Sequence, residues 1–169
     1  MDALDAIRTR RSIRQYTARP VPEATVTEIL RAAMCAPSAG NQQPWEFVVI
    51  ADRAVREAIP SFHPYAGMLR QAPLAVLVCG NLRRETYKGY WVQDCAAAAE
   101  NLLLAAHAMG LGAVWVGIYP KEDRVAKLQQ LLGLPAHVVP MALVPLGYPA
   151  EQVPSPDRYD PARVHRERW

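Results

Sequence analysis

Trp91-Val92-Gln93-Asp94-Cys95-Ala96-Ala97-Ala98-Ala99-Glu100-Asn101-Leu102-Leu103-Leu104-Ala105-Ala106-His107-Ala108-Met109 reads as the longest helix of the chain and governs how the rest packs. Its polar side chains at 93, 100 and 107, with 94 and 101, recur every seven positions and so gather on one narrow stripe. Nearly every other position is Ala, Leu, Val or Trp. A helix that is apolar around most of its circumference has to be covered around most of its circumference. A single domain of 169 residues rarely supplies that much cover, so the pattern points to a second subunit on this helix. The alternative is a central helix wrapped entirely by its own chain. The polar stripe also argues against a membrane span, which needs about 20 mostly apolar residues.

Outward from this helix, Leu74 to Gly80 is a continuous apolar run, as expected of a strand covered on both faces. Downstream, Gly110-Leu111-Gly112 leads into a strand near 112–118, an amphipathic helix covers 121–132, and Gly133 and Pro135 end it. The last strand is Val138 to Leu146, where Pro140 and Pro145 argue for an edge position or irregular pairing. Upstream, residues 2–9 form a first helix. Pro22-Glu23 opens a second, with Val26, Ile29, Leu30, Ala33 and Met34 on one face, and Ala36-Pro37 stops it. A strand follows from Trp45 to Ala51, a short helix at 52–59, then a connection punctuated by proline and glycine through residue 72. The tail from Gly147 is expected to be mostly irregular. This alternation implies one domain over residues 1–169 with layered α+β or α/β architecture.

Hydrophobic residues make up 51% of the chain, enough for a core, and the net charge is only +3, from 19 basic and 16 acidic side chains. That balance disfavours a nucleic-acid binder, which carries a strongly basic face and stacking aromatics. Cys35, Cys79 and Cys95 show no metal-ligand spacing and read as reduced thiols of a cytoplasmic protein. The start, Met1-Asp2-Ala3-Leu4-Asp5, lacks the basic and apolar regions of a secretory leader.

Three constellations carry chemistry. Arg10-Arg11-Ser12-Ile13-Arg14 sets three guanidinium forks and a hydroxyl within five residues, a match for phosphate oxygens. In an extended segment Arg10, Ser12 and Arg14 converge while Arg11 points elsewhere; a solvated basic loop has the same spacing. Pro37-Ser38-Ala39-Gly40-Asn41-Gln42-Gln43-Pro44-Trp45 offers small residues, backbone donors and amides that suit a planar heterocycle, although an ordinary helix-to-strand loop looks similar. Gly110-Leu111-Gly112-Ala113-Val114-Trp115-Val116-Gly117 ends on a glycine that permits close backbone approach to a ligand, or is plain turn chemistry.

In this order the three motifs, with Gln93-Asp94-Cys95-Ala96-Ala97-Ala98 and Pro145-Leu146-Gly147-Tyr148-Pro149, resemble the nitroreductase family of FMN enzymes over residues 8–169. The resemblance is to its short members. It implies an α+β, three-layer α-β-α fold with a central mixed sheet, assembled as an intertwined homodimer whose tail, about 148–169, extends over the partner. It implies FMN held without a covalent bond, with NADH or NADPH as electron donor and ping-pong hydride transfer to nitroaromatics, quinones or similar small electron-poor acceptors. Carried over by motif, Arg10 and Ser12 belong to the FMN phosphate, and Arg11 counts among the cofactor-binding residues without a particular contact. Arg14 belongs to the pyrimidine edge of the ring, Val116 and Gly117 to its reactive centre, and Pro37, Ser38, Ala39 and Asn41 to the flavin of the other subunit. Arg158 is the tail residue expected at the phosphate, with Arg163, Arg166 and Arg168 as competitors.

No acid–base residue is compulsory, because the cofactor carries the chemistry. His63, His107, His137 and His165 therefore read as structural or surface residues, and Asp94 as a helix-start residue. Two departures stand out. Only residues 81–90 occupy the place of the longer members' substrate-covering helices, and residues 61–72 show no clear equivalent of an amide that some members place against the ring. A specialised relative (a reductive dehalogenase or flavin-consuming enzyme) and a flavin-storage module remain alternative functions.

Overall fold

The run Leu74–Asn81 is a strand buried on both faces, and its alternate side chains divide the interior into two cores. The computed structural model describes residues 1–169. In chain order the elements are α1 (Ala3–Thr9), α2 (Glu23–Met34), β1 (Trp45–Ile50), α3 (Arg53–Ala58), β2 (Leu74–Asn81), α4 (Trp91–Ala108), β3 (Gly112–Ala113), β4 (Val116–Gly117), α5 (Glu122–Leu132) and β5 (Val138–Gly147). The strands lie in the order β1-β2-β5-β3, with β4 also on β5. Leu74, Val76 and Val78 meet Val26, Ile29 and Ala33 of α2 and Cys95, Ala98 and Leu102 of α4. Ala75, Leu77 and Cys79 meet Ile59, Leu69 and Leu128 on the opposite face. Each fully buried aliphatic side chain contributes about 1.5–3 kcal/mol by leaving water, so these cores hold the layers together.

This is the expected α+β three-layer fold. The parallel part of its mixed sheet reduces to one isolated bridge, Ser12 to Ala113; every pairing between named strands is antiparallel. Helix boundaries fall within two residues of expectation. No helix is long and apolar enough to cross a membrane.

The prolines of β5 do not put it at an edge: β5 pairs with β2, β3 and β4. They mark irregular pairing instead. Pro140 pairs with Cys79 where the β2–β5 register shifts. On the other side, Gly112 and Ala113 pair with Gly147 and Leu146, and Val116 and Gly117 with Leu143 and Ala142, in one unbroken register. Val114 and Trp115 thus lie opposite Pro145 and Val144, where proline has no N–H to give. The expected strand near 112–118 is accordingly split in two. The Pro145 carbonyl instead accepts from the Tyr16 hydroxyl at 3.3 Å.

The chain covers only one side of α4. Cys95, Ala98, Ala99, Leu102, Leu103 and Ala106 are buried, whereas Val92, Ala96, Leu104 and Ala105 are half-exposed and Ala108 and Met109 exposed. Beside this open side lie Met1 ahead of α1, Ile7 within it and Cys35 just after α2, forming a shallow apolar surface.

Candidate functional site

The break in the sheet edge is where a cavity forms. Residues 12–16 run beside β3: Ile13 N–H donates to the Ala113 carbonyl at 3.0 Å, next to the Ser12–Ala113 bridge. The approach is so close that a Cβ on Gly112 would sit 2.6 Å from Ile13 Cγ2, so residue 112 has to be glycine. This brings Arg14 and Gln15 to the unpaired backbone of Val114 and Trp115. Together with Val116, Gly117, Arg124 and residues of the 63–71 segment they line a cavity of about 720 Å³.

Its walls are firmly held. His63 is 1% exposed, and its Nδ1 accepts from Tyr65 N–H at 3.2 Å. That leaves the proton on Nε2, which donates to the Gly117 carbonyl at 2.9 Å. Arg124 Nη1 donates to the same carbonyl at 3.1 Å. The buried Arg56 ties down the segment's far end, donating to the carbonyls of Leu69 (2.9 Å) and Ala72. Gly117 itself is exposed and a Cβ there would meet nothing within 4 Å. Protein packing does not require that glycine; it leaves backbone open to the cavity.

A second cavity, about 890 Å³, lies between the end of α1 and the tail. Arg8, Arg10, Arg11 and Arg158 line it, with Asp157 as the only carboxylate. Partial burial, and then the charges of Arg158 and Arg10, lower the Arg11 pKa. Burial, followed by the same Arg10 and Arg11, lowers that of the nearby His107. Crowded cations of this kind favour an anion. Arg10 Nε lies 3.4 Å from Glu100 Oε1, while Arg11 and Arg158 form no ion pair. Arg11 Nε instead donates to the Pro154 carbonyl at 2.9 Å, and Ser155 Oγ to that of Thr9 at 3.3 Å. These contacts fold residues 149–155 back along residues 9–16 of the same chain.

The arginine motif is therefore divided. Arg10 and Arg11 line the tail-side cavity, with Arg158 alone of the four tail arginines, and Arg14 lines the other. Ser12 lines neither; it makes the bridge to Ala113. Val116 and Gly117 join Arg14. Pro37, Ser38, Ala39 and Asn41 reach neither cavity.

That last loop has its own anchor, which sequence reasoning missed. Asp94, 4% exposed, accepts from Ala39 N–H at 2.9 Å and from Gln42 Nε2 at 2.6 Å. Its carboxylate thus serves the loop rather than its own helix. Gln42 Oε1 accepts from the N–H groups of Thr86 and Tyr87 at 2.8 and 2.9 Å, so the 81–90 segment is fastened to the same loop. The sign of that role in the sequence is faint: an Asp and a Gln far apart in the chain. Gln71 supplies an amide in the region where none was assigned.

Comparison with known proteins decides the family. The model of the "Nitroreductase family" matches residues 7–64 and 61–148. This chain belongs to the nitroreductase family. A Methanothermobacter thermautotrophicus protein bearing the double name NADH dehydrogenase/NAD(P)H nitroreductase is 52% identical over all of this chain and 88% of its own length. A Bacteroides thetaiotaomicron structure with the same double name superposes with a TM-score of 0.94 at 43% identity, covering 99% of this chain and 98% of that one. A Desulfovibrio desulfuricans structure solved in complex with FMN has a TM-score of 0.86 at 34% identity, covering 100% of this chain and 99% of that one. Membership in this oxidoreductase family agrees with the motifs from which it was expected.

Proposed function

We propose that this nitroreductase-family chain is an FMN-dependent NAD(P)H oxidoreductase acting on small electron-poor acceptors such as nitroaromatics or quinones. The observation that carries the proposal is the division of cationic groups. One cavity offers the unpaired backbone of Val114 and Trp115 and the exposed Gly117 together with Arg14, as a flat ring needs. The other offers Arg10, Arg11 and Arg158, as a phosphate needs. FMN would supply the redox chemistry, taking hydride from NAD(P)H and giving it to the acceptor after the nicotinamide has left.

The residues do the rest. Arg10, Arg11 and Arg158 hold the phosphate by charge-assisted hydrogen bonds. Arg14 neutralises the negative charge that the ring's pyrimidine edge gains on reduction, and fixed charge placed where charge develops is often the largest catalytic contribution. Gln71 offers an amide to the ring, while Val116 and Gly117 leave room at its reactive centre.

The second half of each site comes from a partner in this proposal. The open side of α4, with Met1, Ile7 and Cys35, is the surface a homodimer covers. Pro37, Ser38, Ala39 and Asn41, held by Asp94, serve the other subunit's flavin, and the exposed tail beyond residue 159 lies over that subunit. Alkylation checks this. Burial pushes the Cys79 thiol up to about 12 and also raises Cys95, so neither is expected to react with iodoacetamide at pH 8. Cys35 is exposed in the single chain, so its protection at micromolar protein, and its labelling on dilution, is the expected sign of a dimer. Rapid Cys35 labelling at every concentration speaks for a monomer.

An absorption spectrum after incubation with FMN, followed by anaerobic titration with each nucleotide, tests the function. A yellow protein bleached by NADH or NADPH is the expected result. A yellow protein reduced by neither is a storage module, and one that stays colourless in excess FMN ends the assignment.

A further inference from the structure

Arg124 is a cation that the flavin reading leaves unused. It stands in the first turn of α5, half-buried, and lines the ring cavity. Of its five N–H donors only Nη1 is engaged, on the Gly117 carbonyl at 3.1 Å. It forms no ion pair, and no Asp or Glu lines the cavity. Its guanidinium carbon is 5.8 Å from the centre of the Tyr65 ring, within cation–π range. Tyr65 is 72% exposed, yet its backbone is pinned through the His63 ring, so its aromatic face is an open surface on a fixed base. Met68 and Pro64 supply apolar contact beside it.

We infer that Arg124 and Tyr65 form an oxyanion subsite of the substrate chamber, selecting a planar reactant that carries a carboxylate or phosphate. This rests on the flavin reading above. An unpaired guanidinium beside an exposed aromatic, in a chamber without competing carboxylates, matches a flat ring bearing an anionic group. The fork binds the two oxygens while the tyrosine packs against the ring. Two reactants carry that chemistry: an acidic aromatic acceptor, and the nucleotide donor through its phosphates. The bond from Arg124 to Gly117 also ties the subsite to the backbone on which the redox ring is proposed to lie.

Steady-state kinetics of the FMN-loaded protein separate the sources. One arm takes the ratio of kcat/KM for 4-nitrobenzoate to that for the uncharged 4-nitrobenzamide. The other takes the ratio for NADH to that for 1-benzyl-1,4-dihydronicotinamide, which lacks phosphates. Arg124→Gln is expected to lower at least one ratio about tenfold, through KM, and Arg124→Lys to restore most of it. A fall in the acceptor arm alone assigns the subsite to the acceptor; a fall in the donor arm alone assigns it to nucleotide phosphate. Unchanged ratios in a yellow, active enzyme overturn the subsite and leave the flavin assignment standing. Equal losses in the Gln and Lys variants also overturn it, because they trace to the Gly117 bond rather than to charge. A protein that never binds FMN removes both.

Discussion

The two cavities are built to different standards. The chamber beside Arg14 is cut into a sheet edge: Pro145 opens the ladder, Gly112 admits residues 12–16, and the buried His63 and Arg56 fix the far wall by hydrogen bonds. The arginine cavity is assembled from the end of α1 and an irregular tail, joined by Arg11–Pro154 and Ser155–Thr9 bonds at exposed positions. The contrast follows from what each proposed task demands. Hydride transfer depends on reacting atoms held at near-contact distance, where a displacement of about 1 Å costs roughly 100-fold. Phosphate capture depends chiefly on charge, which tolerates looser placement.

Stability measurements test that contrast most strongly. His63→Ala removes a 1%-exposed side chain and both of its hydrogen bonds, leaving a cavity and an unpaired Tyr65 N–H. Urea denaturation should show a loss of about 3 kcal/mol. Arg158→Ala, on the exposed tail, should stay within about 0.5 kcal/mol of the parent. Comparable losses in the two variants break the distinction.

Ligand binding sharpens it. Arg10→Ala is expected to weaken FMN by about 10- to 100-fold, the worth of one charge-assisted hydrogen bond, with riboflavin unaffected because it has no phosphate. Arg14→Ala should weaken FMN and riboflavin to the same degree. Fluorescence titration of both flavins against both variants reads the result. If Arg10→Ala weakens riboflavin as much as FMN, the tail-side cavity is not the phosphate site.

The parts legible in the sequence are those that burial enforces locally. The unbroken apolar run of β2 and the seven-residue polar stripe of α4 each impose a periodicity that no loop would keep, so both elements and the layered fold were readable. Pro145 was half-readable. Its missing N–H predicts a broken ladder, but which neighbour suffers the break is a long-range fact, and β5 proved central. The alternation expected through Arg10-Arg11-Ser12-Ile13-Arg14 did not hold, because Arg10 caps α1 and only Ser12 joins the sheet edge. A two-residue period needs a strand, and one bridge does not make one. Asp94 and Arg124 were hidden for a different reason. A first-turn Asp and an Arg among Glu122, Asp123 and Lys127 are ordinary helix composition, and only tertiary contact gives them a partner or leaves them without one.

The smallest expected effect lies where the arginine cavity touches the better-ordered part of the molecule. Glu100, on the polar stripe of α4, holds Arg10 Nε at 3.4 Å, with the two side chains 49% and 21% exposed. An anion in that cavity and the Glu100 carboxylate compete for one guanidinium. Exposed ion pairs are worth about 0–1 kcal/mol, so Glu100→Gln should tighten FMN by at most about fivefold. The gain should shrink as salt rises, since screening weakens the competing pair as well. Weaker binding in Glu100→Gln gives Glu100 the opposite role, holding Arg10 in the orientation the phosphate needs. In that case the arginine cavity, too, is held in place by a helix of the core, and the two cavities differ less in construction than their walls suggest.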